Sequence, residues 1–398
     1  TGQTDSESIF YHDNSPSHIK IRSENIDFTQ MLSKSTHIEA GVKNSQVNSD
    51  NLIGFQQRTD TGDVNVSSLT DHFVYNEQIN SAYLKLETKF NKTDLSFSLR
   101  GEGTNTTTHS INPERISDTS YFNLFPSVQL VQALDKNNTF TAFYTRNINR
   151  PNYQDLNPFV GYVDQFYYST GNPFLKPSYV NTYQVSDLYL NKYKVSLSMV
   201  VTDNYFYTIF EQDDATKVYI VTKANLGTRY QYLAQFNIPI DIPRWWNIDA
   251  DLTAYHERYV YKNYPAAQKN TNGILLTLSQ NFKLTSKLTA QVNSDYESPS
   301  YFAISQYQTL YYVNAGLKYS VLKNNGSIRL SVSDIFNSDM NQYHTSFSNL
   351  DITARDKIGS RFVQAAFTYH FGNLSIKAHQ SKAHNEEIKR LSDSGNEN

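Results

Sequence analysis

The chain has 398 residues and a formal net charge of −3; 18% are charged and 14% aromatic, with 30 Tyr and 23 Phe. No apolar run approaches the ~18 residues of a membrane helix, which excludes a helical membrane protein, and abundant Tyr and Phe argue against disorder over most of the chain. The slightly acidic balance gives no reason to expect nucleic acid as a partner, and the absence of Cys excludes a disulfide framework and thiolate metal sites.

Mean hydropathy is −0.57. Polar on average, rich in aromatics and poor in charge is the composition of a transmembrane β-barrel. Only every second side chain of such a barrel meets lipid, and aromatics gather in girdles at the two interfaces. No basic-then-apolar leader opens at Thr1, so the expectation is a mature product or the later part of a longer chain.

Alternation with a period of two places about fifteen strands along the chain. The first six are predicted at 18–32, 36–50, 71–90, 95–110, 120–134 and 139–150. Within them Ala82, Leu84, Leu86 and Phe90 oppose Tyr83, Lys85, Glu87 and Lys89, and Leu95, Phe97 and Leu99 oppose Ser96, Ser98 and Arg100. The next six are predicted at 180–190, 194–212, 217–242, 246–262, 272–283 and 288–298, where Val195, Leu197 and Met199 oppose Ser196 and Ser198. The last three are 308–322, 327–338 and 351–371; Tyr311, Val313, Ala315, Leu317, Tyr319 and Val321 share one face, against Tyr312, Asn314, Gly316, Lys318 and Ser320. Short turns rich in Asn, Asp, Gly, Ser and Pro alternate with connections that are mostly longer (51–70, 111–119, 151–179, 263–271, 299–307 and 339–350). That is the end-to-end asymmetry of an outer-membrane barrel. Residues 374–398 break the alternation and read as a polar, flexible tail, with room for a short helix near Asn385–Leu391.

Residues 146–177, RNINRPNYQDLNPFVGYVDQFYYSTGNPFLKP, carry a resemblance, supported by YFNLFPSVQL (121–130), ANLGT (224–228), SVSDIFN (331–337) and FVQAAFTYHFGN (362–373). With these the chain resembles the outer membrane protein β-barrel family, the barrel of TonB-dependent-receptor-like proteins of Bacteroidetes-type bacteria. The resemblance implies an all-β antiparallel transmembrane barrel in the Gram-negative outer membrane, with 1–373 as its C-terminal part and 374–398 as a periplasmic tail. It implies a receptor or transporter rather than an enzyme, about 15 strands of a probable 22, and upstream a plug domain that meets a periplasmic energy-coupling protein. A barrel that transports nothing and serves as a structural or surface-binding protein is the alternative.

The closing strand alternates Val363, Ala365, Phe367, Tyr369 and Phe371, a pattern that the outer-membrane insertion machinery could read as an assembly signal and that also suits an ordinary lipid-facing strand. In the loop 151–179, Tyr153, Asp155, Asn157, Tyr162, Asp164 and Asn172 form a candidate ligand-facing set; the competing reading gives them to loop packing. Arg146 and Arg150 suit an anion, or a barrel carboxylate. The ten His residues show no recognisable ligand spacing. No nucleophile elbow, HExxH or phosphate loop is present, so no catalytic residue, metal or cofactor is expected.

Overall fold

The computed structural model describes residues 10–67, 69–112, 114–164, 166–242, 245–262, 268–371, 387, 389 and 390. In chain order the first strands are β1 (Phe10–Asn14), β2 (Ser17–Met31), β3 (Thr36–Thr59), β4 (Gly62–Asn65), β5 (Asp71–Phe90), β6 (Thr93–Ile111), β7 (Glu114–Ala133) and β8 (Thr139–Asn149). A one-turn helix α1 (Tyr153–Leu156) and the strands β9 (Val160–Asp164) and β10 (Tyr167–Thr170) follow. The wall resumes with β11 (Ser178–Tyr189), β12 (Tyr193–Gln212), β13 (Tyr219–Ile242), β14 (Trp246–Tyr261), β15 (Asn270–Lys283) and β16 (Leu288–Glu297). The last elements are β17 (Ser300–Phe302), β18 (Ser305–Tyr307), β19 (Leu310–Val321), β20 (Gly326–Val332), β21 (Asn341–Phe347), β22 (Leu350–Asp356) and β23 (Val363–Tyr369).

Fifteen of these strands form one antiparallel ladder: β2, β3, β5, β6, β7, β8, β11, β12, β13, β14, β15, β16, β19, β20 and β23, each paired with the next. Four short strands, β1, β4, β9 and β10, extend it to a 19-stranded sheet. The short turns hold because their residues supply the required chemistry. Asn91 takes φ 53° between β5 and β6, the left-handed conformation a two-residue hairpin needs. The Asp135 carboxylate accepts the Asn137 and Asn138 amides at 2.7 and 3.0 Å, and Thr285 Oγ1 accepts the Leu288 amide at 2.9 Å.

Register makes the apolar face continuous. One row runs Ala365, Leu330, Leu317, Ala290, Phe282, Trp246 and Ile242 across seven strands. Leu84, Leu86, Phe97, Leu197, Leu317, Leu330 and Phe371 stand exposed on the outer surface. Apolar exposure on this scale marks a surface that meets lipid. Its lower border carries Trp245, Trp246 and Phe282 in ring contact, and the Tyr144–Tyr183 rings stack across β8 and β11. Above Val42 and Ala82 the outer face turns polar, with Asn44 bonded to Asn80 at 2.6 Å and Asn48 to Asn76 at 2.7 Å. From Phe90 to Ala82 is eight steps of ~3.4 Å, or ~21 Å vertically at a ~40° tilt, close to the ~25 Å apolar band of such barrels.

Four predicted boundaries are corrected. The 51–70 loop is largely strand: β3 runs on to Thr59 and turns into β4. The 111–119 loop shrinks to a tight connection because β6 and β7 project beyond the membrane. The predicted strand 351–371 is two elements: β22 joins a separate four-stranded sheet with β17, β18 and β21, and only β23 joins the wall. The polar run between them is pulled aside by buried Asp334, which takes Ser360 Oγ at 2.6 Å and Lys357 Nζ at 3.3 Å. The same anchor ends β20 at Val332, short of the predicted 338; Asp334 has φ 45° and Asn337 55°.

Candidate functional site: the lumen and its loop-lined mouth

The inner face is polar along most of the wall, and near the long-loop end it carries two apolar clusters that seat folded-in loops. In the first, Tyr205, Ile209, Leu226, Tyr259 and Tyr261 of β12–β14 are covered by Ala303, Ile304 and Phe347 of the small sheet. In the second, Val47, Phe73 and Tyr75 of β3 and β5 receive Tyr153, Leu156 and Leu175 of the loop between β8 and β11. Aromatic rings connect the parts: Tyr207 meets Phe302 at 5.0 Å, Tyr307 meets Tyr343 at 5.3 Å and Tyr167 meets Tyr219 at 5.2 Å.

Buried charges sit in pairs on this inner face. Arg150 Nη2 lies 2.8 Å from Glu102 and 3.2 Å from Thr104 Oγ1; Arg100 approaches the other oxygen of Glu102 at 2.9 Å. Arg229 Nη2 lies 2.6 Å from Glu257, which also accepts Gln231 and Tyr259 Oη. The Arg229 guanidinium is ringed by Phe302, Tyr205 and Tyr259 at 5.1 to 5.6 Å. Buried charges must be paired and hydrogen-bonded to be tolerated; Arg150–Glu102 ties the start of the β8–β11 loop to the wall, whereas Arg229–Glu257 joins the wall strands β13 and β14 and meets the small sheet through the Phe302 ring.

The candidate loop set is placed as follows. Tyr153 is buried against Tyr75, ring centroids 5.8 Å apart. Asp155 pairs with Lys223 at 3.2 Å and accepts the Asn152 amide. Asn157 accepts the Phe159 amide through its side chain and the Gly171 amide through its carbonyl. Asn172 donates to the Lys223 carbonyl at 3.0 Å and accepts the Phe174 amide. The structure brings these four together, with the bonds of Asp155, Asn157 and Asn172 directed into the loop and onto β13. Tyr162 and Asp164 lie in β9; their side chains are outside the described residues. Gly171 is the pivot, since a Cβ there would meet the Asn157, Gln154 and Asp155 carbonyl oxygens at 2.3 to 2.8 Å. Arg150 takes the carboxylate role weighed for it, and Arg146 lies over the Tyr179 ring at 5.4 Å.

At the short-turn end, His37, Glu39 and Glu87 converge with ligand atoms within 4.8 Å of one another. Spacing along the chain did not suggest this: His37 faces Glu87 across the β3–β5 register, 2.6 Å away. Lys85 Nζ already stands there as the cation, 2.7 Å from Glu87 and 3.6 Å from Glu39, so the group is an ion-pair network. Elsewhere His72 meets Asp50 at 2.7 Å and His344 meets Asp351 at 2.9 Å.

The candidate assembly-signal residues Val363, Ala365, Phe367 and Tyr369 lie on the outer face of β23, where Val363, Phe367 and Tyr369 are exposed large side chains, and Phe371 follows with its ring stacked on Tyr369. The tail reading needs amendment where the structure describes it. Glu387 and Arg390 are buried inside the lumen, paired with Lys43 and Glu77. The rest of 374–398, apart from Lys389, lies outside the described residues.

An antiparallel wall with a lipid-facing apolar belt, a polar lumen and inward-folded loops defines an outer-membrane β-barrel. The chain belongs to the outer membrane protein β-barrel family, whose family model matches residues 1–369, and its place is the Gram-negative outer membrane. Among solved structures it resembles the copper transporter OprC (TM-score 0.64, 12% identity, covering 90% of this chain and 57% of that one). It also resembles the ferric yersiniabactin uptake receptor FyuA from Yersinia pestis (0.61, 10%, covering 91% and 56%). A third match is the ferric citrate transporter FecA (0.58, 12%, covering 90% and 55%). This chain thus spans a little over half the length of each. A search of curated proteins gives no match.

Proposed function

We propose that the chain forms the wall, lumen and surface loops of a TonB-dependent-type outer-membrane receptor that imports a ligand. The observation that carries this reading is the mouth itself. Loops from the long-loop end fold inward onto luminal clusters, one of them fastened by the buried Arg150–Glu102 pair, which narrows a wide barrel into an aromatic-lined entrance. An inert wall has no need of such an entrance. The copper, ferric-siderophore and ferric-citrate proteins of similar fold support an uptake role; which cargo this chain takes is a separate question.

The ladder also supports a reading as part of a larger assembly. Strand β2 pairs with β3 and β23 with β20, and both end strands are largely exposed. Fifteen strands begin and end in the same direction, so joining their edges would make a parallel seam, unlike that of bacterial barrels. About seven further strands would restore an antiparallel seam, and a plug inside them would gate the lumen and receive energy from a periplasmic coupling protein. The lipid bilayer and the insertion machinery complete the partners of this proposal.

The test is uptake in cells of the source organism, comparing ferric siderophores, ferric citrate and copper, with and without the gene and with a protonophore. Loss of uptake of a compound on gene deletion and on de-energisation supports the reading. Unchanged uptake of every compound, with surface binding retained, would replace it with the surface-binding alternative.

A further inference from the structure

On the outside of the wall, where β2, β3, β5, β6 and β7 leave the apolar belt, register sorts the outward side chains into horizontal rows. The last apolar row is Ile26, Val42, Ala82, Gly101 and Leu124. The row above it is Glu24, Asn44, Asn80, Gly103 and Phe122. Two polar rows follow, headed on β2 by Arg22 and Lys20, and the first of them carries the amides of Gln46, Gln78 and Asn105. The inner face of the same strands is filled, with Val47 and Ile79 buried, so only the outer face is open to a ligand. From Ala82 to Asn76 is six steps, or ~16 Å of height at ~3.4 Å per residue and a ~40° tilt. These rows therefore begin in the layer that lipid head groups fill above a hydrocarbon core.

A groove of about 660 Å³ lies across the step from the apolar to the polar rows. Ala82, Gly101 and Gly103 form its floor, Ile26 and Val42 one wall and Phe122 the other. The two glycines stand inside β6, where glycine weakens a strand and marks a close approach by a ligand or another backbone. No backbone approaches Gly103: a Cβ there would meet only the Phe122 ring, at 4.0 Å. On Gly101 it would meet the same ring at 3.1 Å, so Phe122 leans over the floor and roofs it.

The chemistry changes with height in a fixed order. The groove is apolar at the bottom. The bonded Asn44 and Asn80 amides close its top, beside Glu24, whose carboxylate accepts hydroxyl groups. Arg22 stands one row higher and Lys20 two, both exposed, and neither forms an ion pair among the described residues. Asp118, the carboxylate in the row of Lys20, is four strands away, ~19 Å at ~4.8 Å per strand. An acyl chain, then hydroxyl-bearing sugars, then a phosphate is the matching order in a ligand.

We propose that this groove binds one phosphorylated glycolipid of the outer leaflet. Its acyl chain lies over Gly101 and Gly103 beneath Phe122, its sugars meet the amide rows, and its phosphate pairs with Arg22 and Lys20. The belt directly below already faces lipid, so the occupant enters from the bilayer without crossing water. The site is on the outside of the wall and holds whether or not the lumen imports a ligand.

Binding can be measured by native mass spectrometry on the full-length protein, stripped of lipid in detergent. The probes are a bis-phosphorylated, acylated glucosamine disaccharide, the same lipid without phosphate, and phosphatidylethanolamine. The parent should hold one phosphorylated glycolipid about tenfold or more tighter than either of the others. Gly103→Val fills the open floor, and Phe122→Ala removes the roof without touching a strand glycine; each should weaken glycolipid binding to a similar degree. Arg22→Gln with Lys20→Gln should bring the phosphorylated lipid down to the level of the dephosphorylated one. Ala290→Val, on the belt beside Leu317, should change nothing. Heat-modifiable gel mobility identifies the variants that keep their barrel. Phosphatidylethanolamine bound as tightly as the glycolipid, or glycolipid binding unchanged in both groove variants, would overturn the site. Unchanged preference for the phosphorylated lipid in the Arg22 and Lys20 double variant would overturn the phosphate position. A parent dimer that Gly103→Val dissolves would give the groove to a second copy of the chain and overturn the lipid.

Discussion

Leu317→Arg tests the position of the wall in the bilayer. Leu317 is exposed on the outer face of β19, in register with Leu330 on one side and Ala290 on the other. It lies four residues from Val321, the last residue before the short turn. At ~3.4 Å per residue and a ~40° tilt that is ~10 Å above the turn, near the middle of a ~25 Å apolar band. An arginine there should cost ~2–4 kcal/mol, and the same change at Val321, close to the interface, ~0–1 kcal/mol. Lys318→Gln, one step along but on the opposite face, should change stability little. Urea unfolding in phospholipid vesicles, read by heat-modifiable mobility and tryptophan fluorescence, measures all three. Equal losses at 317 and 321, or a loss at 318 as large as at 317, would show that the apolar row does not face lipid at this height.

Gly171→Ala should disorder the loop between β8 and β11, because three carbonyl oxygens occupy the space a Cβ needs; accelerated proteolysis near residues 152–177 with intact barrel mobility is the expected result. Arg150→Ala leaves the buried Glu102 with Arg100 alone on the wall side; losing one partner of a buried pair costs ~3–5 kcal/mol, and Arg150→Ala should therefore lower the unfolding midpoint far more than Arg100→Ala, whose side chain is partly exposed. Burial alone would raise the carboxyl of Asp334, but the Ser360 hydroxyl, the Ser338 and Asp339 amides and Lys357 together hold it well below the usual range. Its stabilising effect on the 333–362 segment is complete above about pH 4, the unfolded carboxylate value, and is lost as pH falls through the lower folded value; Asp334→Asn should expose Lys357 and Arg361 to trypsin at neutral pH, and unchanged cleavage there would remove the anchor role. Phe371→Ala should reduce outer-membrane yield while deletion of 374–398 does not, since the described ladder ends at β23; equal yields would remove the assembly-signal role.

What was legible in the sequence, and what was not, follows from the range of each interaction. Strand identity is carried by neighbouring residues: Leu84, Leu86, Lys85 and Glu87 declare their faces through alternation alone, and the ladder has the fifteen members that alternation suggested. The turns were equally local, as at Asn91 and Asp135. Alternation failed where strands ran on beyond the membrane: above Ala82 the outer face turns polar, as in the Asn44–Asn80 and Asn48–Asn76 pairs, and the continuations at 51–59 and 114–119 read as loop although they are strand. It failed again at 351–371, where two short strands with similar patterns serve different sheets and a single buried aspartate decides the break.

The lumen was the least legible part, for a topological reason. Arg150 finds Glu102 across 48 residues, Arg229 finds Glu257 across 28, and Arg390 finds Glu77 across 313. None of these separations is a local period. Arg229 meets Glu257 through the register of the β13–β14 hairpin, while Arg150 and Arg390 reach their carboxylates only because the chain turns back inside the wall. An arginine in such a sequence announces a charge that needs a partner, as Arg150 did, but not which carboxylate supplies it. The same logic explains why the folded-in loop carries so many polar residues. The Asp155, Asn157 and Asn172 side chains accept the Asn152, Phe159 and Phe174 amides within the loop, and their density reflects backbone that finds few ladder partners there.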